Sequence, residues 1–196
     1  MKKSSTRKIV VTGILAAISS ILMYINFALP FVPPYLKIDF SDFPALLASF
    51  SLGPLSGVGV CLIKNLVSLP ASSTMGVGEL SNFIISSVFV VSAGIFYKNN
   101  RTKKGALIAS LIGAASMAFV AIFSNYFVVY PAYIKIMGLP ERAIIGMSSA
   151  IISWIDSTWK VILVFNMPFT FVKGILNVII TFLIYKHISP IIQGKK

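Results

Sequence analysis

The 196-residue chain is 57% hydrophobic and only 11% charged, where a soluble domain carries about 25% charged residues, so the missing charges point to a lipid solvent. Its formal net charge of +12 does not describe a nucleic-acid face, because the cations cluster at the ends of apolar runs instead of covering one exposed surface. Cys61 is the only cysteine, which excludes an internal disulfide, and no linker or fixed-period repeat divides the length, so a single domain over 1–196 is expected.

The first apolar run predicts a helix over 8–29, enough at about 1.5 Å per residue to cross a bilayer core. It is longer than the roughly 7–15-residue core of a signal peptide, so it is expected to be retained. Pro30, Pro33 and Pro34 stop it, and 31–42, with Lys37, Asp39 and Asp42, reads as an extra-membrane loop. Two short apolar stretches follow, 43–52 and 55–69, broken by the Gly53-Pro54 pair. A Ser-, Gly- and Thr-rich loop over 70–78 leads to a helix over 79–97, which ends in Lys98, Arg101, Lys103 and Lys104. The next helix spans 105–129 and is expected to stop at Pro131. In the less apolar segment 132–160, which carries Lys135, Glu141, Arg142 and Asp156, Pro140-Glu141-Arg142 predicts the start of a short interfacial helix. The last span covers 161–185, interrupted at Pro168, ahead of Lys186, Lys195 and Lys196.

Cationic ends of membrane helices face the cytoplasm. With Lys2, Lys3, Arg7 and Lys8 forming the first cluster, four crossings precede Lys98 and two follow it. Both counts are even. The fold class expected is therefore an all-α integral membrane protein of six transmembrane helices with both termini cytoplasmic. All five acids (Asp39, Asp42, Glu79, Glu141 and Asp156) then fall outside or near the outer boundary, and Trp154 and Trp159 suit the outer interface.

Polar side chains at membrane depth are functional candidates. Lys64-Asn65 sits in an apolar helix, where it serves a site, an interhelical hydrogen bond, or a pairing with an acid such as Asp39. Glu79 and Asn82, three apart, share a face at a helix start, although Glu79 alone would complement the helix N-terminus. Asn125-Tyr126 lies near the outer end of the fifth helix, with packing as the plainer role. Lys173, a turn and a half beyond Pro168, either serves a site or snorkels. Donors and acceptors among aromatic walls suit a planar, polar-edged molecule better than a bare ion, and no carboxylate for an ion relay is expected near the midplane. His187 is the only histidine, and no Cys/His cluster, Walker loop or GxSxG motif occurs, so neither an enzyme nor a metal site is expected. Any pumping energy must come from another subunit.

The run Pro33-Pro34-Tyr35-Leu36-Lys37-Ile38-Asp39-Phe40-Ser41-Asp42-Phe43-Pro44-Ala45-Leu46-Leu47 resembles the first outer loop and second helix of riboflavin-specific substrate-binding (S) subunits of energy-coupling factor (ECF) vitamin transporters. Leu52-Gly53-Pro54, Lys64-Asn65-Leu66, Gly76-Val77-Gly78-Glu79-Leu80-Ser81-Asn82-Phe83, Asn125-Tyr126-Phe127, Pro131 and Pro168-Phe169 with Lys173-Gly174 continue the resemblance in order. It implies a multi-pass protein of a bacterial cell membrane that captures riboflavin at the outer face and works with a transmembrane coupling (T) subunit and two ATPase subunits. Riboflavin would be transported cargo, with no cofactor, metal or nucleic-acid partner; the alternative is an S subunit for a different vitamin or precursor.

The resemblance carries ligand-binding roles to Asn125 and Lys173. Thr170 stands where the family often has Asn, with Asn166 as a partial substitute for the lost amide. Riboflavin needs apolar walls for its tricycle and polar groups for its pyrimidine edge and hydroxyls. Leu46, Phe43 and Tyr130 are expected as walls, Asn125, Thr170 and Lys173 at the edge, and Glu79 and Asn82 facing the hydroxyls or closing the loop, with Asp39 of the first outer loop also counted among the ligand-binding residues. Small residues of the first helix, Gly13, Ala16, Ala17 and Ser20, form Gly13-x-x-x-Ala17 and Ala16-x-x-x-Ser20, a spacing that lets a coupling subunit approach closely or serves internal packing.

Overall fold

The computed structural model describes residues 2–193, with side chains from 6 to 184. Of the expected cationic tail, Lys195 and Lys196 lie outside the described residues, as do the side chains of Lys186, His187, Lys2 and Lys3.

Helix α1 (Lys2–Tyr24) ends before Leu29, earlier than its apolar run suggests. The chain turns at Asn26, whose amide donates to Met23 O (3.0 Å), and Phe27–Ala28 pairs antiparallel with Lys37–Ile38. Tyr24 fixes the helix end by donating to Val67 O across 3.0 Å. Helices α2 (Asp42–Leu52) and α3 (Pro54–Ser68) meet at Gly53, whose φ of 104° is a backbone state that side chains disfavour. Helix α4 (Val77–Asn99) follows a short 3₁₀ turn, Leu69–Ala71.

Helix α5 begins at Lys103 behind a Thr102 cap, whose hydroxyl accepts from Gly105 N. It does not stop at Pro131 but continues to Ile136. The reason is a widened π turn at Asn125–Val129, in which Tyr130 N–H reaches back five residues to Asn125 O. Pro131 follows at once, where the changed bonding register accommodates a residue without an N–H. The last helix repeats the device: it starts at Thr158, widens over Ile162–Asn166 with Met167 N–H bonded to Ile162 O, and runs on through Pro168 as Met167–Gln193. Between the two, α6 (Glu141–Ser149) starts after Pro140, and α7 denotes the helix from Thr158 onward.

Among the described residues, five helices are long and apolar enough to cross a membrane. The sixth expected span, α2, has 11 residues, about 16 Å of helix against a core of about 30 Å. It is wrapped by α1, α3, α4 and α7 instead of facing lipid along its length, and Ala45, Leu46, Leu47 and Ala48 are fully buried. The outer surface is the reverse of a soluble protein's. Ile9, Ile14, Ile21, Leu107, Phe119 and Leu183 are all exposed, an apolar belt that water would not tolerate.

Packing inside the belt depends on small residues. A Cβ on Gly57 would lie 2.9 Å from Ser49 Cβ, 3.0 Å from Ala45 O and 3.1 Å from Val90 Cβ, so α3 can touch α2 and α4 here only without a side chain. Gly57→Val is expected to destabilise the bundle by about 1–3 kcal/mol through overpacking, read as a lowered thermal midpoint in detergent; an unchanged midpoint would contradict this close approach.

Candidate ligand-binding cavity

The loop of residues 25–41, α4, α5 and α7 enclose a cavity of about 140 Å³. A single water needs roughly 10–15 Å³ on the same measure, so the space suits an organic molecule better than a bare ion. Three elements supply its polar wall. Asn166, Thr170 and Lys173 are spaced by four and three, which puts them on one face of α7. Asn125 belongs to the widened turn of α5, and its amide donates to Ala121 O at 2.7 Å, directing the carbonyl oxygen away from its own helix. Asn82 and Ser86 reach the cavity from one face of α4.

Aromatic residues complete the lining. Tyr35 from the first loop, Tyr130 and Tyr133 from α5, and Phe169 from α7 all border the space. Tyr130 donates to Asn166 Oδ1 at 2.9 Å, and its oxygen lies 3.2 Å from that of Tyr35. This chain of hydroxyls ties the loop to both widened helices. Burial raises the Tyr35 phenol above its ordinary pKa, so it stays a neutral donor and acceptor.

Beneath the polar wall lies a buried ring of charge. Lys173 donates to Asp39 Oδ2 at 2.7 Å and stands 3.8 Å from Asp42 Oδ2. Lys64 donates to Asp42 Oδ1 at 2.5 Å and to Ser41 Oγ at 2.7 Å. Ser41 closes the circuit by donating to Asp39 Oδ1 from both N–H (2.9 Å) and Oγ (2.5 Å). Ser86 connects the ring to the cavity side, with Asp42 Oδ1 at 2.6 Å and Asn82 Oδ1 at 3.2 Å. Two carboxylates face two ammonium groups, and their formal charges cancel.

The expected site therefore divides. Asn82, Asn125, Tyr130, Thr170 and Lys173 line the cavity together. Asp39 does not; it is buried against Lys173 and Ser41. Leu46 is fully buried in the helix core rather than forming a wall, and Phe43 does not border the space. Glu79 accepts from Ser72 (2.6 Å) and Thr74 (3.3 Å), so it secures the loop before α4. Lys64 is paired with Asp42 rather than Asp39, and both acids are buried by the surrounding helices. Tyr35, Tyr133, Ser86 and Phe169 were given no site role from the sequence; Tyr35 and Phe169 lie within the runs that carry the resemblance, while for Ser86 no local signal exists. On α1, Gly13 and Ala17 face outward, whereas Ala16 and Ser20 turn into the bundle, where Ser20 donates to Ala16 O at 2.9 Å.

An apolar-surfaced helical bundle around a polar-edged cavity defines a membrane-embedded binding protein. The family model for "ECF transporter, substrate-specific component" matches residues 7–185, and the chain belongs to that family. It is 34% identical to the riboflavin transporter RibU of Staphylococcus aureus (strain TCH60), over 98% of this chain and 96% of the relative. It is 32% identical to the riboflavin transporter FmnP of Bacillus subtilis (strain 168), over 97% and 96%. A solved S component of a bacterial ECF transporter superposes with a TM-score of 0.75 at 33% identity, covering 98% of this chain and 99% of the other. These relatives are transport components, and the chain is not an enzyme.

Two of the ion pairs differ sharply in setting. Asp42 and Lys64 are fully buried, whereas Asp156 and Lys160, 2.6 Å apart, are 69% and 38% exposed. Asp42→Ala strands a buried ammonium and is expected to cost about 3–5 kcal/mol, while Asp156→Ala leaves the thermal midpoint where it was. Equal midpoints for the two variants would contradict the burial of the ring.

Proposed function

We propose that this chain is the riboflavin-capturing S component of an ECF-type uptake transporter in a bacterial cell membrane. The observation that carries the reading is the cavity, which Asn82, Asn125, Thr170 and Lys173 line together with Tyr130 and Phe169. A flavin has the matching faces: an apolar tricycle for the aromatic wall, a pyrimidine edge for amide and ammonium groups, and a hydroxylated chain for the remaining polar side chains. Asn166 supplies, one turn before Thr170, the amide that the family often carries at the Thr170 position. Asp39, Leu46 and Glu79 support this site from behind: Asp39 holds Lys173, Leu46 packs α2, and Glu79 secures the adjoining loop.

The whole chain acts as a single domain with six membrane helices, in which the short α2 also passes toward the cytoplasmic end of α4, where Phe50 packs on Tyr97, so the crossings stay even in number. Both termini are cytoplasmic under the positive-inside rule, with Arg7, Lys8, Lys98, Arg101, Lys103 and Lys104 on that side. The cavity then lies toward the outer face, beneath the 25–41 loop. Delivery to the cytoplasm draws on two ATPase subunits through a T subunit, because the chain carries no nucleotide-binding motif. The exposed Gly13 and Ala17 are the part of the small-residue stripe open to that T subunit.

The test is riboflavin titration of the purified protein by flavin fluorescence. The wild type is expected to bind tightly and to gain thermal stability with ligand. Asn125→Ala is the cleanest site variant, since Lys173 also holds Asp39. It is expected to weaken binding by about 1–3 kcal/mol by leaving a polar group of the ligand unpaired. Affinity unchanged in Asn125→Ala would remove Asn125 from the site, and no flavin binding by the wild type would defeat the reading.

A further inference from the structure

Lys64 is fully buried and does not border the cavity, yet its ammonium completes the ring that holds Lys173. A buried ion pair stabilises a fold no better than a well-packed apolar pair, so stability alone gives no reason for Lys64 and Asp42. What the pair does control is the charge that Lys173 meets. Asp42 gives Oδ1 to Lys64 and Ser86, at 2.5 and 2.6 Å, while its buried Oδ2 has no hydrogen-bond partner among the described residues. That free oxygen lies 3.8 Å from Lys173 Nζ, which is bonded to Asp39 at 2.7 Å. Lys173 thus stands between two carboxylates, and how far Lys64 neutralises Asp42 decides between them.

We propose that Lys64, acting through Asp42, is a positioning residue that keeps the Lys173 ammonium on Asp39 with an N–H directed at the ligand in the cavity. An ammonium has three donors, and Asp39 takes one. With the Lys64 charge gone, Asp42 becomes an uncompensated carboxylate in a low-dielectric interior, and Lys173 is its nearest cation. Asp42 then draws Lys173 off the cavity wall. Lys64 also donates to Ser41, whose hydroxyl donates to Asp39, so the same cation steadies both carboxylates that flank Lys173. The specificity of the effect follows from this geometry: the harm done by losing Lys64 comes from Asp42, and removing the Asp42 charge as well undoes it.

The inference rests on the riboflavin reading of the cavity, so wild-type binding is measured first; absence of binding there defeats that reading and not the ring's logic. In a flavin-binding wild type, Lys64→Met is expected to lower riboflavin affinity tenfold or more. It is also expected to abolish the shift that the protein imposes on the flavin's long-wavelength absorption band. The charge-balanced double variant Lys64→Met/Asp42→Asn is expected to return affinity to within about threefold of wild type and to restore the band shift. Should Lys64→Met not be recovered folded, Lys64→Gln and Lys64→Gln/Asp42→Asn make the same comparison, since Gln keeps a donor for Ser41. Unchanged affinity in the single variant overturns the proposal. So does an equal loss in single and double variants, which assigns Lys64 to folding alone.

Discussion

Two carboxylates and two ammonium groups enclosed by apolar helices must neutralise one another, and the arrangement of the bundle follows from where they can meet. Asp39 and Asp42 flank the start of α2, Lys64 comes from α3, and Lys173 comes from α7, 134 residues after Asp39. The short segment between the acids is held from every side. Ser19 of α1 donates to Ser41 O at 2.5 Å, and Asn177 of α7 donates to Asp39 O at 3.2 Å. An isolated charge at this depth would be costly; four of them in a closed circuit fix the relative height and rotation of α2, α3 and α7. That in turn sets Thr170 and Asn166, on the face of α7 shared with Lys173, against the cavity.

The cavity itself depends on a second device, the pair of widened turns. Each places an asparagine, Asn125 or Asn166, at the cavity wall, and each is followed within two residues by a proline. A regular α-helix would carry the proline's clash with a preceding carbonyl as a kink or a stop. The π turn takes up the misfit as one extra residue per turn and rotates the side chains that follow it.

Much of this was legible in the sequence, because lipid is a demanding solvent. Apolar run lengths located five long helices and a short one, the Gly53-Pro54 turn was read directly, and Pro140-Glu141 marked the start of α6. The fifteen-residue run from Pro33 to Leu47, with the later fragments, pointed to the family. Asn82, Asn125, Tyr130, Thr170 and Lys173 border one cavity. What failed did so for identifiable reasons. A proline was read as a stop because the hydrogen-bond register before it is not visible in residue identity. Lys64 was read with an acid such as Asp39 and pairs with Asp42 instead, because pairing across helices depends on rotation about their axes. The same rotation sends Ala16 and Ser20 inward while Gly13 and Ala17 face out. Ser86 and Tyr133 have no signature outside the three-dimensional arrangement.

The most direct test of the account is a crystal structure of the purified protein with riboflavin bound. The account places the flavin in the cavity between α4, α5 and α7, with polar edge atoms within hydrogen-bond distance of Asn125 and Lys173 and the Lys64–Asp42 pair intact beneath them. Flavin density elsewhere in the bundle, or a bound flavin untouched by both Asn125 and Lys173, would contradict it.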